Sequence, residues 1–297
     1  MAYKVLVPLD GSRVAENSLA YLDALRSMGE SEILLISVVD EDAQGTALDP
    51  KESIAREENL LATYLREVSA QIHEHIGIDV ATKLVVGSPG PSVIDEATRF
   101  APDLLVVSTH GRSGLSRWRL GSVADKIIRG ATCNTLVVGP KASERAPWVD
   151  ARIMEPFKTI LAPLDGSTLA ESALPVVQSF AQSYGSAVHL VTAVAIPAIS
   201  GAMGGAVYEP DLLPNLIEGA RQYLVGKAAT LAGVEVTTKV EMGGAAAMLD
   251  DYVTEHAIDL VIMTSHGRGG YVRTALGSVA DRLIACAAPV LIVRPRE

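Results

Sequence analysis

Short apolar runs alternate with amphipathic stretches along this chain, and turn residues close most of the runs. Residues 4–9, KVLVPL, lead into Asp10-Gly11-Ser12, after which Ala15, Leu19, Leu22 and Leu25 recur at helical spacing up to Gly29. A second apolar run, EILLISVV at 32–39, precedes a polar stretch over 40–51 and a long helical pattern reaching His75. A third, DVATKLVV at 79–86, ends at Gly87-Ser88-Pro89-Gly90 and is followed by a helix to Phe100. The fourth begins at Asp103, and NTLVV at 134–138 is the fifth, stopped by Gly139-Pro140. Apolar runs of this length predict buried strands, and three-to-four spacing predicts helices packed on them. From Lys141 to Pro156 no period holds and two prolines intervene, which predicts a linker.

The order then repeats. KTILAP at 158–163 enters Leu164-Asp165-Gly166-Ser167, matching Leu9-Asp10-Gly11-Ser12. Ala170, Leu174, Val177 and Ala181 mark a helix, Ala187–Val194 a strand, 211–231 a helix and 234–241 a strand. A helix to His256 and a last strand, PVLIV at 289–293, complete the second copy. The loop at 196–206, IPAISGAMGGA, differs from its acidic counterpart at 40–50. The expected domains are 1–141 and 157–297, joined by a linker at 142–156. Strands alternating with helices at this spacing predict right-handed βαβ units and a parallel sheet covered on both faces. Ligands of such sheets sit beyond the carboxyl ends of strands, where the strand order reverses.

The repeat is closest over one stretch. DLLVVSTHGRSGLSRWRLGSVADKII from Asp103 matches DLVIMTSHGRGGYVRTALGSVADRLI from Asp259 at a constant offset of 156. In each, an apolar strand ends near Ser108 or Thr264, a His-Gly pair follows, and nine residues later Gly-Ser opens a helix. Val123, Ile127 and Ile128, with Val279, Leu283 and Ile284, are expected to press one helix face on the strand. Gly111 and Gly121, like Gly267 and Gly277, admit backbone close to a ligand. The helix start at Ser122 or Ser278 offers free N–H groups and a positive dipole end to an anion. A tight turn with a serine-capped helix is the plainer reading of the same residues. Asp10 and Asp165 are either crevice residues or turn formers in an Asp-Gly pair. His110 and His266 either act as bases or order their loops through backbone bonds.

Composition narrows the classes. With 297 residues, 48% hydrophobic and 20% charged, two globular domains are expected. A net charge of −10 without a basic block argues against nucleic acid. No apolar run approaches a membrane span of roughly 20 residues, and MAYKVLVPLDGS enters a strand too early for a signal peptide. Cys133 and Cys286, the two cysteines, are read as reduced thiols of a cytoplasmic protein. His73 and His75 fall on opposite sides of a helix and make no metal pair. There is no GxxxxGK[ST] loop, so P-loop chemistry lacks its lysine.

These motifs together, V-P-L-D-G-S and A-P-L-D-G-S, the turn after the third strand, and H-G-(nine residues)-G-S-V-A-D, are similar to those of the universal stress protein family. The resemblance covers both halves and takes the tandem, two-domain form. It implies two Rossmann-like α/β domains of the adenine nucleotide alpha hydrolase type, each a five-stranded parallel sheet in the order 3-2-1-4-5. It also implies ATP, with or without Mg2+, between strands one and four. By position, Asp10 and Asp165 would face ribose and adenine, and Val38 and Ala193 would line adenine. Gly111, Gly121, Ser122 and Val123, and in the second half Gly267, Gly277, Ser278 and Val279, would cradle ribose and phosphates. His110 and His266 fall within the same signature. The family pattern places glycine two residues before His-Gly, where this chain has Ser108 and Thr264.

The expected function is a stress module that senses or buffers ATP without efficient catalysis. The alternatives are a nucleotide-free dimerisation and docking protein, or a slow adenine-nucleotide hydrolase. The apolar fifth strands, TLVV at 135–138 and PVLIV at 289–293, carry no edge protection. They are expected to pair with each other as an intrachain pseudo-dimer, leaving a homodimer of such chains as a further expectation.

Overall fold

A computed structural model describes residues 2–25, 28–41, 50–109, 120–145, 148, 157–195, 212–265 and 276–295. Its strands are β1 (Tyr3–Pro8), β2 (Ser31–Asp40), β3 (Ala81–Gly87), β4 (Leu104–Ser108) and β5 (Asn134–Val138) in the first half. In the second half they are β6 (Thr159–Pro163), β7 (Ala187–Val194), β8 (Val236–Met242), β9 (Leu260–Thr264) and β10 (Val290–Val293). All ten join one sheet in the order β3-β2-β1-β4-β5-β10-β9-β6-β7-β8. Each half therefore has the expected 3-2-1-4-5 order and is parallel throughout. The inner strands are buried at their centres because helices cover both faces; in β4 and β9 every residue is buried.

The seam between halves is antiparallel, pairing Val137 with Val290, Leu136 with Leu291 and Thr135 with Ile292. All six of these side chains are buried, so the two apolar fifth strands cover each other's edges. The flanks of the seam differ. A side chain at Gly139 would collide with the Ile284 carbonyl, so backbone packs on backbone there. On the other flank Arg294 reaches across, its backbone N–H donating to Asn134 Oδ1 at 3.0 Å and its guanidinium to the Ile128 carbonyl. Aromatic rings add a second tie: Tyr21 stacks on Phe157 at 6.2 Å, and Phe157 meets Tyr184 edge-on at 5.3 Å.

Two expectations about elements change. The first helix is three pieces, α1 (Arg13–Glu16), a 3-10 turn (Asn17–Tyr21) and α2 (Leu22–Leu25). Its counterpart is likewise split into α7 (Thr168–Glu171) and α8 (Leu174–Tyr184). The cause is local. Ser18 Oγ donates to the Ala15 carbonyl at 2.7 Å and Ser172 Oγ to the Leu169 carbonyl at 2.6 Å, which competes with the helical ladder. The start of the expected linker is also helical, as α6 (Pro140–Arg145). Pro140 opens it at a position that needs no N–H, and Ser143 bonds back to the Gly139 carbonyl through both N–H and Oγ at 2.9 Å. The remaining helices are α3 (Pro50–Ile76), α4 (Pro89–Phe100), α5 (Ser122–Gly130), α9 (Leu212–Ala228), α10 (Ala245–Glu255) and α11 (Ser278–Leu283). No helix among the described residues is long and apolar enough to cross a membrane.

Candidate functional site

The crevice lies between β1 and β4. Those strands pair only through Val5–Leu104 and Leu6–Leu105, and beyond that they splay towards their carboxyl ends. β6 and β9 do the same after Ile160–Leu260 and Leu161–Val261. This is the place where strand order reverses in each half.

On the β1 side, the Leu9 N–H still bonds the Ile36 carbonyl at 2.8 Å, and Ser37 Oγ donates to the Leu9 carbonyl at 2.8 Å. Pro8 pairs with Ile36, so Asp10 follows at the level of Val38, which is half-buried. The Asp10 carboxylate accepts the Ser12 N–H at 2.9 Å across Gly11, whose φ of 81° lies in the left-handed region. Ser12 Oγ in turn caps α1 by accepting the Ala15 N–H at 3.2 Å. Asp165 and Ser167 repeat this with bonds of 3.0 and 3.1 Å, and Ser167 Oγ donates to Asp165 at 2.6 Å as well. Both aspartates thus form the turn, and both stand at the carboxyl end of their strands.

On the β4 side, Ser108 is only 8% exposed, and among the described residues its buried Oγ has no hydrogen-bond partner. Thr264, its counterpart, is 3% exposed and is partnered. The chain returns at Gly121, whose N–H donates to the Thr109 carbonyl at 2.9 Å; Gly277 bonds the Ser265 carbonyl at 2.8 Å. A Cβ on Gly121 would lie 2.9 Å from the Thr109 carbonyl oxygen. The glycine is therefore demanded by loop closure itself, and a bulky residue there would disturb the fold as well as any ligand.

Ser122 begins α5 exposed, and neither Gly121 nor Gly277 provides a side-chain cap for the helix that follows. The helix face differs from expectation at one point. Ile127 and Ile128 are buried with Ala124, but Val123 is 40% exposed and does not press on the strand. Its counterpart Val279 is half-buried, as is Ala193 on β7. His110, Gly111, His266 and Gly267 lie outside the described residues, as do the arginines of both loops and the 196–206 segment.

A feature absent from the sequence reading joins each crevice to its neighbouring helix. Glu171 closes α7, accepts the Tyr223 hydroxyl at 3.0 Å and pairs with Lys227 at 2.7 Å. Burial, then the Glu171 carboxylate, raise the Tyr223 pKa well above the usual phenol range. Glu16 closes α1 in the same way and faces Tyr64; burial raises its pKa, with Tyr64 and Arg13 opposing. The signal was present as A-E after each D-G-S and as Tyr-Leu in each following helix. Cys133 and Cys286 are free, and burial pushes the Cys286 thiol up to about 11.

A doubled, doubly wound α/β sheet with a glycine-bounded crevice in each half defines the class. The profile described as the universal stress protein family matches residues 1–139 and 156–294, and the chain belongs to that family in tandem form. A universal stress protein of Mycolicibacterium smegmatis is 27% identical, over 99% of this chain and 98% of its own length. One from Methanocaldococcus jannaschii is 30% identical over 141 residues, 46% of this chain and 81% of that protein. The crystal structure of a universal stress protein from Archaeoglobus fulgidus shares the fold, with a TM-score of 0.71 at 19% identity and coverage of 99% and 98%.

Proposed function

We propose that this chain is an ATP-binding stress module whose first-half crevice takes the nucleotide, and that it senses or buffers ATP without efficient turnover. The observation that carries this is the buried Ser108 hydroxyl, unpartnered among the described residues, where β1 and β4 splay apart. A buried polar atom without a partner is rare and marks a place where a ligand oxygen or amine can restore the bond. The surrounding groups suit an adenine nucleotide. Val38 offers an apolar contact for the base, Asp10 an acceptor at ribose height, and the uncapped start of α5 its N–H groups for phosphate. Mg2+ would arrive with the phosphates.

The second half supports the alternative of a docking domain without nucleotide. Its Thr264 hydroxyl is not among the buried groups left unbonded, and its Glu171 is tied to Lys227 and Tyr223 of α9. The absence of a P-loop lysine favours slow hydrolysis. Calorimetric titration with ATP, combined with steady-state phosphate release, tests the reading. The expected result is one ATP per chain and turnover far below the median enzyme rate of about 10 per second. Absence of binding would leave the docking reading. Fast turnover lost in His110→Ala would make the chain an enzyme.

A further inference from the structure

Between α1 and α3 lies a cavity of about 300 Å³, with Arg13 and Glu16 on one wall, Tyr64, Glu67 and Val68 on another, and Trp148 beside them. Neither Asp10 nor Ser108 is among its lining residues, although Asp10 lies close enough to Glu16 to act on its charge. The repeat supplies its own comparison. Glu16 and Glu171 each close the first short helix, and each faces a tyrosine that precedes a buried leucine on the next helix: Tyr64-Leu65 lines the cavity with Glu16, and the Tyr223 hydroxyl donates to Glu171. Four residues past the tyrosine, the same helix face carries Val68 in the first half and Lys227 in the second. The Lys227 ammonium sits 2.7 Å from the Glu171 carboxylate and 5.6 Å from the centre of the Tyr223 ring. The second half thus fills the site with its own amine, by ion pairing and cation–π attraction together.

Among the described residues no such amine reaches the first-half site. Val68 is buried and cannot supply charge. Arg13 draws Glu16 towards its ionised form, but among the described residues it makes no ion pair with it. The Glu16 carboxyl is left partly desolvated beside an open space, with the Glu67 carboxylate and the aromatic rings of Tyr64 and Trp148 around it. A desolvated carboxylate is stabilised by a cation that can also donate hydrogen bonds, and an aromatic wall favours one attached to an apolar stem.

We propose that this cavity binds a small primary-amine cation, whose ammonium takes beside Glu16 and Tyr64 the place that Lys227 takes beside Glu171 and Tyr223. The occupant is an alkylamine in class, with its charged end at Glu16 and its stem along Val68 and Trp148. Nucleotide in the crevice is not required for it.

Calorimetric titration of the full chain with n-pentylamine, against n-pentanol as an uncharged counterpart of similar shape, tests this directly. One amine per chain should bind, with no heat from the alcohol. Glu16→Gln should weaken the amine at least tenfold, and Val68→Lys, which supplies the ammonium from the chain, should abolish binding. Conversely, Lys227→Val should raise the stoichiometry from one to two, with added amine restoring part of its lost thermal stability. An amine that fails to bind at millimolar concentration, or an alcohol that binds equally, overturns the proposal. So does unchanged affinity in Val68→Lys or a stoichiometry of one in Lys227→Val. If Glu16→Gln fails to fold, the alcohol comparison and the two lysine variants still decide it.

Discussion

Ser108 and Thr264 occupy the same place in the two halves and have opposite standing. Both were visible in the sequence as hydroxyl residues where the family pattern has glycine. Which hydroxyl finds a partner depends on neighbours brought together by the fold, so periodicity could not distinguish them. Removing an unsatisfied buried hydroxyl lifts a desolvation penalty, whereas removing a partnered one strands the group left behind. Ser108→Ala is therefore expected to raise the melting temperature of the nucleotide-free chain by the equivalent of about 1 kcal/mol, while weakening ATP. Thr264→Val, which removes a hydroxyl that is not among the buried groups left unbonded, should bring no such gain and leave ATP affinity unchanged. Thermal unfolding and calorimetry on both variants check the pair. A Ser108→Ala chain with unaltered ATP affinity would remove the hydroxyl from the nucleotide site. Asp10 was legible as either turn former or crevice residue, and the bonds to Ser12 give it the first role without moving it from the second position. Glu16 and Glu171 were overlooked because a single glutamate in a helical pattern reads as a solvated charge. Only packing against the next helix makes it otherwise.

At the level of elements, the strands were legible almost to the residue, since buried parallel strands are near-continuous apolar runs. The helices were less so, because serine back-bonding breaks α1 and α7 without disturbing the apolar spacing. A second element-level difference separates the halves. On β7 and α10, His189 Nδ1 lies 2.8 Å from the Tyr252 hydroxyl, and the Tyr252 ring stacks on His256 at 3.8 Å. Burial, then the nearby His256, lower the His189 pKa below 6.5, with Glu235 opposing. The unfolded chain then binds more protons than the folded one as pH falls below about 6.5, so stability is present above that value and lost below it. The first half has Leu34 at the place of His189. His189→Leu is expected to flatten the fall of melting temperature between pH 7 and 5, whatever it does to the plateau. An unchanged slope would assign the acid sensitivity to other groups.

The whole molecule is a pseudo-dimer within one chain, and this too could be read from the sequence: two apolar fifth strands without protective charge need each other as partners. What the repeat concealed is how unequal the halves are around that axis. Gly139 lets one flank close on the Ile284 carbonyl, while on the other Arg294 spans to Ile128 and to Ser265 Oγ at 3.1 Å. Burial lowers the pKa of Arg294 from its ordinary value, and its Nε is buried without a partner. The seam is thus a mixture of apolar strand pairing and a half-buried, partly desolvated cation, and the strand pairing must supply the stability. Val137 and Ile292 are both fully buried in it. Lysine at either position would bring a charge into the seam with no carboxylate opposite, since their neighbours across the ladder are Val290 and Thr135. An uncompensated buried charge costs several kcal/mol, more than the pairing of short strands returns. The double variant Val137→Lys, Ile292→Lys should therefore uncouple the halves. Scanning calorimetry on the full chain is expected to replace one cooperative transition by two at lower temperature. Each half keeps its own 3-2-1-4-5 sheet and its own crevice, so ATP should still bind to the variant below its first transition. A single transition at the original temperature would mean that the aromatic contacts of Phe157 with Tyr21 and Tyr184, and not the β5–β10 seam, hold the two halves together.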